Sequence, residues 1–391
     1  MIEASIIGKR LRIAVLNRDF LSTGGGAERY SIALVEQLAQ RHEMHVFAQN
    51  INHEFPGVTY HKIWMPLRRP RWVNQLWYAA ATWWATRRGF DVVHSHENTW
   101  HGQVQTVHVL PIKYTLFHSR TAWRLALRWF KVVTSPRLLV YLWLEHCRYS
   151  MHGNRRVVVT STSLQAIMAQ TYPAVVQAMV VVTPGVSNVP GPTSTTAKRA
   201  ARTRLGLPLE GKCVLFVGND YQKKGLAALI EALRQLPDNV FLVVVGNAAQ
   251  IPAFRDRVNA SGVGLRVFFL GAMKDVSDAY CAADCLTHPT LEDTFAMVVL
   301  EAMAHGVPVV VSNASYCGIS GLLCDGVQAL ILNNPRDPAD IANGIKKALF
   351  DDALKEALVL AGVSFVGAYL WSEIAAQQEQ IYLRSVCTDT Q

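Results

Sequence analysis

An alternation of short apolar strands with helices constrains the fold of this chain most strongly, because it occurs twice. In the first half, the strand Arg12–Leu16 leads into a glycine-rich loop, a helix is predicted over about Glu28–Arg41, and a strand follows at Glu43–Ala48. Strand, glycine turn, helix and strand form the opening unit of a doubly wound parallel sheet. The pattern restarts at Lys212–Val217, and the strands predicted after it are Val240–Val245, Leu265–Leu270, Cys285–His288 and Val307–Val311.

The domain boundaries are predicted from a change of composition near Val186. A chain of 391 residues, half of them apolar, suits two domains. The stretch Pro184–Thr196 is rich in Pro, Gly, Ser and Thr, which predicts a linker. We therefore expect Rossmann-like domains at 1–185 and 201–370, a linker at 186–200 and a terminal helix within 371–391. A ligand is expected between the two halves, at the carboxyl ends of the strands.

Positive charge is concentrated in the first half. Lys plus Arg is 38 and Asp plus Glu is 29, so the net charge is +9. The segment from Pro66 to Thr160 carries +11 and the remainder −2. Its basic residues are Arg68, Arg69, Arg71, Arg87, Arg88, Lys113, Arg120, Arg124, Arg128, Lys131, Arg137, Arg148, Arg155 and Arg156. An anionic partner is therefore expected at the first half.

The sequence does not indicate a secreted or membrane-spanning protein. The 7 cysteines are scattered, and Cys281 and Cys285 are not followed by Cys or His at zinc spacing, which favours reduced thiols. Basic residues from Lys9 onward follow the first apolar residues too closely for a cleavable signal. No apolar run approaches the roughly 20 residues that span a bilayer. We predict a cytoplasmic location.

Two carboxylates stand eight residues apart in Asp293-Thr-Phe-Ala-Met-Val-Val-Leu-Glu301, at a predicted strand–loop–helix junction. Eight residues are about two helical turns, so a helix that begins near Phe295 places Glu301 in its second turn and Asp293 on the loop before it. Both acids could then face one ligand. Backbone N–H groups at the helix start, on Phe295, Ala296 and Met297, could hold a phosphate or sugar hydroxyls. A helix cap at Asp293 with a solvated Glu301 is the open alternative.

The segment Pro289–Pro308 resembles the Glu-x7-Glu signature of retaining glycosyltransferases of family four. The family pattern is an acid, Gly, Phe, Gly, four residues and Glu-Ala-Met-Ala-x-Gly-x-Pro; here Asp293, Thr294 and Ala296 depart from it. The resemblance implies that Glu301 holds the donor ribose and that Asp293 contacts the donor sugar. It also implies the GT-B fold, in which two Rossmann-like α/β domains face each other across a deep cleft and the C-terminal helix returns to the N-terminal domain.

The loop Gly218–Gly225 resembles the family loop of Gly-Arg, several residues and Lys-Gly, whose basic residues neutralise the donor diphosphate. Lys224 aligns with the family Lys, Asn219 stands where the family has Arg, and Lys223 is expected to supply the missing charge. Such a cation is required because cleavage of a sugar–phosphate bond leaves negative charge on the diphosphate. Two solvated lysines before a helix are the alternative.

The loop Thr23–Arg29 lacks the spacing of a Gly-x-Gly-x-x-Gly dinucleotide fingerprint. It resembles the family's N-domain Gly-Gly loop, which touches donor phosphate and acceptor. Gly25 and Gly26 would let the backbone approach a ligand closely. A plain tight turn is the alternative.

A histidine is expected to face the donor sugar. His108 ends a predicted strand and resembles the family's strand-end His in that position. A structural role is the alternative, because the chain has 13 histidines. His94 and His96 fit a supporting or acceptor role better. Their His-x-His spacing has no evident third metal ligand, and the resemblance implies an enzyme that needs neither a metal nor a cofactor.

Tryptophan accompanies the basic segment, since nine of the ten tryptophans lie in the first half. Tryptophan with arginine suits an anionic membrane surface and also single-stranded nucleic acid. Because the resemblance implies a sugar-transfer core, we expect the anionic partner of this segment to be a membrane surface or a phosphorylated glycolipid and not a nucleic acid. The residues expected to attach the enzyme to the inner face of the cytoplasmic membrane are Arg68, Arg69, Arg71, Arg87 and Arg88. Tryptophans buried under a solvated basic face are the alternative.

Within the family, the second half is most similar to lipopolysaccharide core glucosyltransferases, in segments such as Ala282–Pro289 and Cys317-Gly318. The resemblance implies a metal-independent, retaining hexosyltransferase that uses a nucleotide sugar such as UDP-glucose. A lipopolysaccharide core or another envelope glycan would be its acceptor. The alternatives are a non-catalytic nucleotide-sugar or glycan-binding protein on the same scaffold and a Rossmann oxidoreductase.

Overall fold

The computed structural model describes residues 10–22, 24–118, 121–151 and 153–387. The N-terminal residues considered above for a signal, Thr23 of the glycine-rich loop and Arg120 of the basic segment lie outside this range. The chain forms two compact units. The first contains the residues up to Thr183 together with those from Trp371 onward, and the second is Pro184–Leu370.

The strands and helices are numbered in chain order. The strands are β1 Arg12–Leu16, β2 Asp19–Phe20, β3 Glu43–Ala48, β4 Asn50–Ile51, β5 Val58–Lys62, β6 Val92–Ser95, β7 Val104–Val107, β8 Arg156–Val159, β9 Met179–Val181, β10 Lys212–Gly218, β11 Val240–Gly246, β12 Val267–Gly271, β13 Cys285–His288, β14 Val309–Ser312 and β15 Leu330–Leu332. The α-helices are α1 Gly26–Leu38, α2 Arg71–Thr86, α3 Ile112–Phe117, α4 Ala122–Val133, α5 Pro136–Tyr149, α6 Thr162–Thr171, α7 Thr195–Arg204, α8 Leu226–Leu233, α9 Ile251–Ala260, α10 Ser277–Ala282, α11 Met297–Ala304, α12 Pro338–Phe350, α13 Asp352–Val366 and α14 Trp371–Cys387.

The first unit is built on a seven-stranded parallel sheet in the order β5-β3-β1-β6-β7-β8-β9. Helix α1 packs through one apolar face, where Ile32, Leu34, Val35 and Leu38 are all buried. The strand order reverses between β1 and β6. Ligands of doubly wound sheets bind at the carboxyl ends of the strands on either side of such a reversal.

The second unit repeats this design with a six-stranded parallel sheet in the order β12-β11-β10-β13-β14-β15. Its central strands are buried along their length, as a parallel sheet covered on both faces requires. The reversal of strand order falls between β10 and β13. The loops that follow these two strands carry Lys224 and Asp293, so the sheet topology brings the two predicted motifs to one edge.

Helix α7 corrects the predicted linker, because it occupies Thr195–Arg204 where an irregular segment was expected up to residue 200. The Ser194 side chain accepts a hydrogen bond from the Ala197 N–H and starts the helix. Arg202, on the inner face of α7, donates to Asp284 at 2.7 Å, and that carboxylate also accepts the Cys213 N–H at 2.8 Å. This distant contact holds the helix and was not visible in the local composition.

The C-terminal helix α14 packs on the first unit, as the predicted fold class requires. Trp371, Ile374 and Ala375 are buried, and the Trp371 ring meets the Tyr30 ring edge-to-face at 5.3 Å. Further along the helix, Tyr382 Oη lies 2.6 Å from His94 Nδ1 in β6. Among the described residues, no helix is long and apolar enough to cross a membrane.

Candidate functional site

Two glycine positions let the loops after β10 and β13 come together. Gly225 has φ +77°, and a Cβ there would lie 1.9 Å from the Pro289 carbonyl oxygen, so a side chain would force the loops apart. The Leu291 N–H donates to the Lys223 carbonyl at 2.7 Å across the same approach. At Gly218 a Cβ would meet Lys224 Cγ at 3.0 Å. The glycines therefore place the Lys224 side chain against the β13 loop.

Lys224, His288 and Asp293 form one cluster, although only two of them were expected to meet. Lys224 Nζ lies 2.5 Å from Asp293 Oδ2, and His288 Nε2 lies 3.1 Å from the same oxygen. Lys224 also donates to the Glu292 carbonyl at 3.1 Å. The Asp293 side chain is only 15% exposed, so the pair is partly shielded from water. The cluster therefore fixes both the ammonium and the carboxylate.

The protonation states in this cluster follow from burial and charge. Burial alone would raise the pKa of Asp293, but the Lys224 ammonium and the His288 hydrogen bond outweigh it and hold the pKa below its usual value. Burial lowers the pKa of His288 despite the nearby carboxylate, so the imidazole is neutral at pH 7. A neutral His288 must then carry its proton on Nε2, which donates a hydrogen bond to Asp293 Oδ2.

The backbone of the acidic loop is fixed by a neighbouring segment. The Asp293 N–H donates to the Tyr316 carbonyl at 2.8 Å, and the Gly318 N–H donates to the Asp293 carbonyl at 3.0 Å. The Phe295 N–H donates to Asp293 Oδ1 at 3.2 Å, so this carboxylate bonds within its own loop. Helix α11 begins at Met297 and its N-cap is Ala296, so the alternative of Asp293 as the helix cap is wrong.

Ala296 occupies a position where the family pattern has glycine, and its backbone conformation explains why glycine suits this position. Its φ is +74°, in the left-handed region that costs an L-residue about 1–2 kcal/mol. Alanine also has no side-chain acceptor for the N–H groups of the first turn of α11. The N-cap side chain therefore makes no hydrogen bond to the first turn of α11. Of the three residues expected to bind a ligand through their N–H groups, Phe295, Ala296 and Met297, the first donates its N–H to Asp293 Oδ1.

Glu301 lies in the second turn of α11, as predicted, and has its own partners. Tyr280 Oη donates to Glu301 Oε2 at 2.6 Å. The His305 ring stacks on Tyr280 at 5.1 Å, and His305 Nδ1 donates to the Glu301 carbonyl at 2.8 Å. Glu301 is therefore partly buried and held, and the alternative of a solvated Glu301 is wrong.

The other residues expected on the phosphate loop are more exposed. Lys223 is 55% exposed on its side chain and pairs with Glu292 at 2.7 Å. Asn219 accepts a hydrogen bond from Gln250 through its carbonyl at 2.8 Å. Neither contact buries the side chain, so Lys224 is the more firmly placed cation of this loop.

In the first unit, His108 follows β7 and joins a histidine cluster. His108 Nε2 lies 2.8 Å from His96 Nδ1, the two rings stack at 5.1 Å, and the Tyr30 ring meets His108 edge-on at 5.0 Å. Burial and then the Arg148 charge lower the pKa of His108 to about 3, so it is neutral at pH 7. His94, which bonds Thr106 at 2.6 Å, supports this cluster from within the sheet.

The glycine-rich loop opens helix α1. Gly25 is its N-cap and Gly26 its first residue, and the Gly24 N–H donates to the Leu21 carbonyl at 2.9 Å. A Cβ at Gly24 would lie 2.7 Å from Glu28 Cβ, so glycine is required for the approach of this turn to its own helix. The turn alternative thus explains Gly24, while Gly25 and Gly26 present backbone at the start of a 13-residue helix.

The tryptophans of the basic segment are largely exposed, so the alternative of a buried set is wrong for most of them. Arg87 Cζ lies 3.5 Å from the centre of the Trp84 ring, and Trp77 donates to the Trp64 carbonyl at 2.9 Å. The tryptophans with 41–68% of their surface exposed are Trp64, Trp77, Trp83, Trp84, Trp123, Trp129 and Trp143. The five arginines expected at the membrane, Arg68, Arg69, Arg71, Arg87 and Arg88, are all exposed.

Metal ligands do not gather in the described part of the chain. There, no group of three or more His, Cys, Asp or Glu side chains could hold a metal ion. Cys281 and Cys285 are free thiols, and burial raises the pKa of Cys285 to about 12.

Each half of the chain matches a protein-family model. Residues 24–188 match Glycosyltransferase Family 4 and residues 197–362 match Glycosyl transferases group 1. WaaG, a glycosyltransferase involved in lipopolysaccharide biosynthesis, has a similar structure, with a TM-score of 0.82 and 20% identity over 94% of this chain and 99% of that one. Anabaena HepE in complex with UDP-glucose is also similar, with a TM-score of 0.75 and 18% identity; the match covers 95% of this chain and 99% of that one. The chain has the GT-B fold.

Curated relatives of this GT-B chain carry inositol-linked names. The chain is 31% identical over 250 residues to the D-inositol 3-phosphate glycosyltransferase of Xylanimonas cellulosilytica. This match covers 60% of the chain and 59% of that protein. The chain is 34% identical over 203 residues to the phosphatidyl-myo-inositol mannosyltransferase of Mycobacterium tuberculosis. This match covers 47% of the chain and 50% of that protein. The matches thus span between half and three fifths of these relatives.

Sequence reasoning missed three side chains that hold the predicted GT-B site residues: Tyr280, His288 and His305. His288 could have been found, because it ends the strand next to the reversal of strand order. Tyr280 and His305 carry no comparable signal in one sequence. Tyr280 lies in a six-residue helix, and His305 occupies a variable position of the motif.

Proposed function

We propose that the protein is a retaining hexosyltransferase that uses a nucleotide sugar, UDP-linked, and a phosphorylated envelope glycan or glycolipid as acceptor. The observation that carries the proposal is the Lys224–Asp293–His288 cluster at the strand reversal of the second unit. It places a fixed cation and a fixed carboxylate together in a GT-B chain whose two halves match glycosyltransferase families.

Lys224 acts on the leaving group in this proposal. When the bond between the anomeric carbon and the diphosphate oxygen breaks, the diphosphate leaves with the electron pair, and a cation fixed beforehand stabilises the charge that develops. Lys223, being exposed, adds a weaker attraction. Glu301 accepts hydrogen bonds from the ribose hydroxyls, and the start of α11 faces phosphate or sugar oxygens through its N–H groups.

Asp293 and His108 are assigned to the donor sugar. Asp293 stays ionised, because its pKa lies below the ordinary value, and so accepts hydrogen bonds from sugar hydroxyls. His108 is neutral at pH 7 and serves as a hydrogen-bond partner without a charge. No covalent nucleophile is assigned. The acceptor oxygen attacks on the face that the diphosphate leaves, its proton passes to a diphosphate oxygen, and no metal or cofactor takes part.

Names of similar proteins support the choice of substrates. Structures of HepE contain UDP and UDP-glucose, which supports a UDP-linked donor. WaaG is described as involved in lipopolysaccharide biosynthesis, and the names of the curated relatives contain D-inositol 3-phosphate and phosphatidyl-myo-inositol. Inositol phosphate and phosphatidylinositol are both anionic, which fits the +11 charge of the segment Pro66–Thr160.

A panel of ligands tests the function. Thermal unfolding is measured with UDP, GDP, ADP and NAD, and the sugar nucleotide of the most stabilising base is then supplied with candidate acceptors. We expect stabilisation by UDP and transfer of the sugar. Stabilisation by NAD alone would instead identify an oxidoreductase. UDP binding without transfer to lipopolysaccharide core, phosphoinositide or water would favour a non-catalytic binding protein.

Peripheral attachment to an anionic membrane is the second part of the proposal. On α4, Trp123, Leu127 and Phe130 follow helical spacing along one face and are each more than half exposed. Arg124 and Lys131 lie exposed beside that face. Apolar side chains flanked by basic ones are typical of helices that lie in the membrane interface. The proposed location is the inner face of the cytoplasmic membrane.

Vesicle binding tests the membrane proposal. Each basic residue near an anionic surface contributes about 1 kcal/mol. Changing Arg68, Arg69, Arg71, Arg87 and Arg88 to Gln should therefore weaken sedimentation with anionic vesicles at least about tenfold at low salt and leave UDP binding unchanged. The wild type should partly release at high salt and ignore neutral vesicles.

The matched control removes the same charge from exposed positions of the second unit: Arg234, Arg255, Arg257, Lys346 and Lys347 to Gln. This variant should sediment like the wild type. Equal binding of the wild type to neutral and anionic vesicles, or binding to neither, would contradict the proposal.

A further inference from the structure

We propose that Tyr280 is a positioning residue that fixes the Glu301 carboxylate for the ribose hydroxyls of the donor nucleotide. The inference rests on the proposed function, which assigns the ribose to Glu301. It adds a residue that lies outside the Glu-x7-Glu motif, 21 positions before Glu301.

The contact is a short, charge-assisted hydrogen bond. Tyr280 Oη donates to Glu301 Oε2 at 2.6 Å, and Tyr280 is only 1% exposed. A glutamate side chain has three rotatable torsions and would otherwise sample several rotamers. With one oxygen held by a buried phenol, the carboxylate keeps a single orientation before the nucleotide arrives.

His305 holds the phenol ring in place. Its ring stacks on Tyr280 with centroids 5.1 Å apart and an interplanar angle of 26°. His305 Nδ1 also donates to the Glu301 carbonyl at 2.8 Å, which satisfies a carbonyl near the end of α11. One histidine therefore fastens both the helix that carries Glu301 and the ring that orients its carboxylate.

Helix α10, which carries Tyr280, is fixed at both ends by α7. Arg204 binds Asp278 through two hydrogen bonds of 2.6 and 2.9 Å. At the other end, Arg202 Nε donates to the Ala282 carbonyl at 3.1 Å. A six-residue helix has little rigidity of its own, so these contacts give Tyr280 a fixed base. A site residue supported in this way keeps its geometry before ligand binding.

The test compares UDP with 2′,3′-dideoxy-UDP, which lacks both ribose hydroxyls. Binding is measured by calorimetry for the wild type and Tyr280→Phe. We expect Tyr280→Phe to reduce the preference for UDP over the dideoxy analogue about tenfold and to leave the affinity for the analogue unchanged. In the Glu301→Gln background, which has already lost the preference, Tyr280→Phe should change UDP affinity less than about twofold.

Tyr221→Phe is the matched control. Tyr221 is fully buried, and its hydroxyl has no hydrogen-bond partner within the part of the chain that the structure describes. The variant therefore removes the same oxygen from a buried phenol without removing a contact to Glu301. It should keep the wild-type preference for UDP.

The outcomes separate this inference from the proposed function. If Tyr280→Phe weakens both nucleotides equally, or neither, the positioning role is overturned. If the wild type binds both nucleotides equally and still transfers sugar, Glu301 does not serve the ribose, and the inference fails while the transferase function stands. If the wild type binds none of UDP, GDP and ADP and transfers no sugar, the proposed function itself fails.

Discussion

Replacing Lys224 with alanine should lower the turnover of nucleotide sugar about 10²- to 10³-fold, the loss that follows removal of one fixed donor to a developing negative charge. Lys224 Nζ is held at 2.5 Å from Asp293 and its side chain is 21% exposed, so water screens it poorly. A free cation in solution would need to be ordered for each reaction, whereas this one is already in place. Steady-state rates with saturating donor measure the effect.

Lys223→Ala is the control for that variant. It removes the same charge from the adjacent position, but from a side chain that is 55% exposed and paired with Glu292. We expect only a few-fold loss, because an exposed pair is screened by water and salt. Both variants should remain folded by circular dichroism. Wild-type turnover in Lys224→Ala would contradict the assigned role.

Asp284→Asn should lower the free energy of unfolding by about 3–5 kcal/mol, the cost of leaving a buried charge without its partner. Asp284 accepts from Arg202 at 2.7 Å and from Lys198 at 2.6 Å, and the Arg202 side chain is only 4% exposed. Urea unfolding measures the change. Asp278→Asn is the control, since its pair with Arg204 is exposed and is worth about 0–1 kcal/mol. Equal losses in the two variants would contradict this account.

The contribution of Asp284 to the free energy of unfolding should decrease as the pH falls. Burial would raise the pKa of this carboxyl, but the Lys198 charge and hydrogen bond, the Cys213 N–H and Arg202 together lower it. The folded state therefore holds the proton less tightly than the unfolded state does. The stabilisation is complete above the unfolded pKa of about 4 and is lost as the pH falls through the folded pKa. The difference between wild type and Asp284→Asn should shrink on acidification.

Local signals in the sequence account for much of the fold. Helix α12, Pro338–Phe350, carries such signals at its start, because Asp337 caps it and proline suits its first turn. Strands β1, β3, β10, β11, β12, β13 and β14 were predicted because buried parallel strands form short apolar runs. Helix α7 was missed, since its polar sequence is stabilised by Asp284, a residue 82 positions away from Arg202. A contact of that separation leaves no trace in local composition.

The residues of the candidate site also divide into those that local sequence motifs indicate and those that depend on distant contacts. Lys224 and Asp293 were expected at one site because each resembles a family motif, and the sheet order places them together. Tyr280 and His305 depend on which side chains pack against those motifs, and one sequence does not contain that information. The tryptophans show a different limit: their clustering with arginine was visible, but burial and exposure remained alternatives until the solvent exposure of each ring was known.

The most direct test of the central claim, retaining sugar transfer at this GT-B site, is the anomeric configuration of the first product. Proton NMR follows the reaction with UDP-glucose, or with the sugar nucleotide whose nucleotide stabilises the protein most, and an accepted glycan. We expect release of the nucleoside diphosphate and a product with the α configuration of the donor, both formed about 10²- to 10³-fold more slowly in Lys224→Ala. A β product would contradict retention, and an uncleaved donor with every acceptor would contradict the transferase assignment.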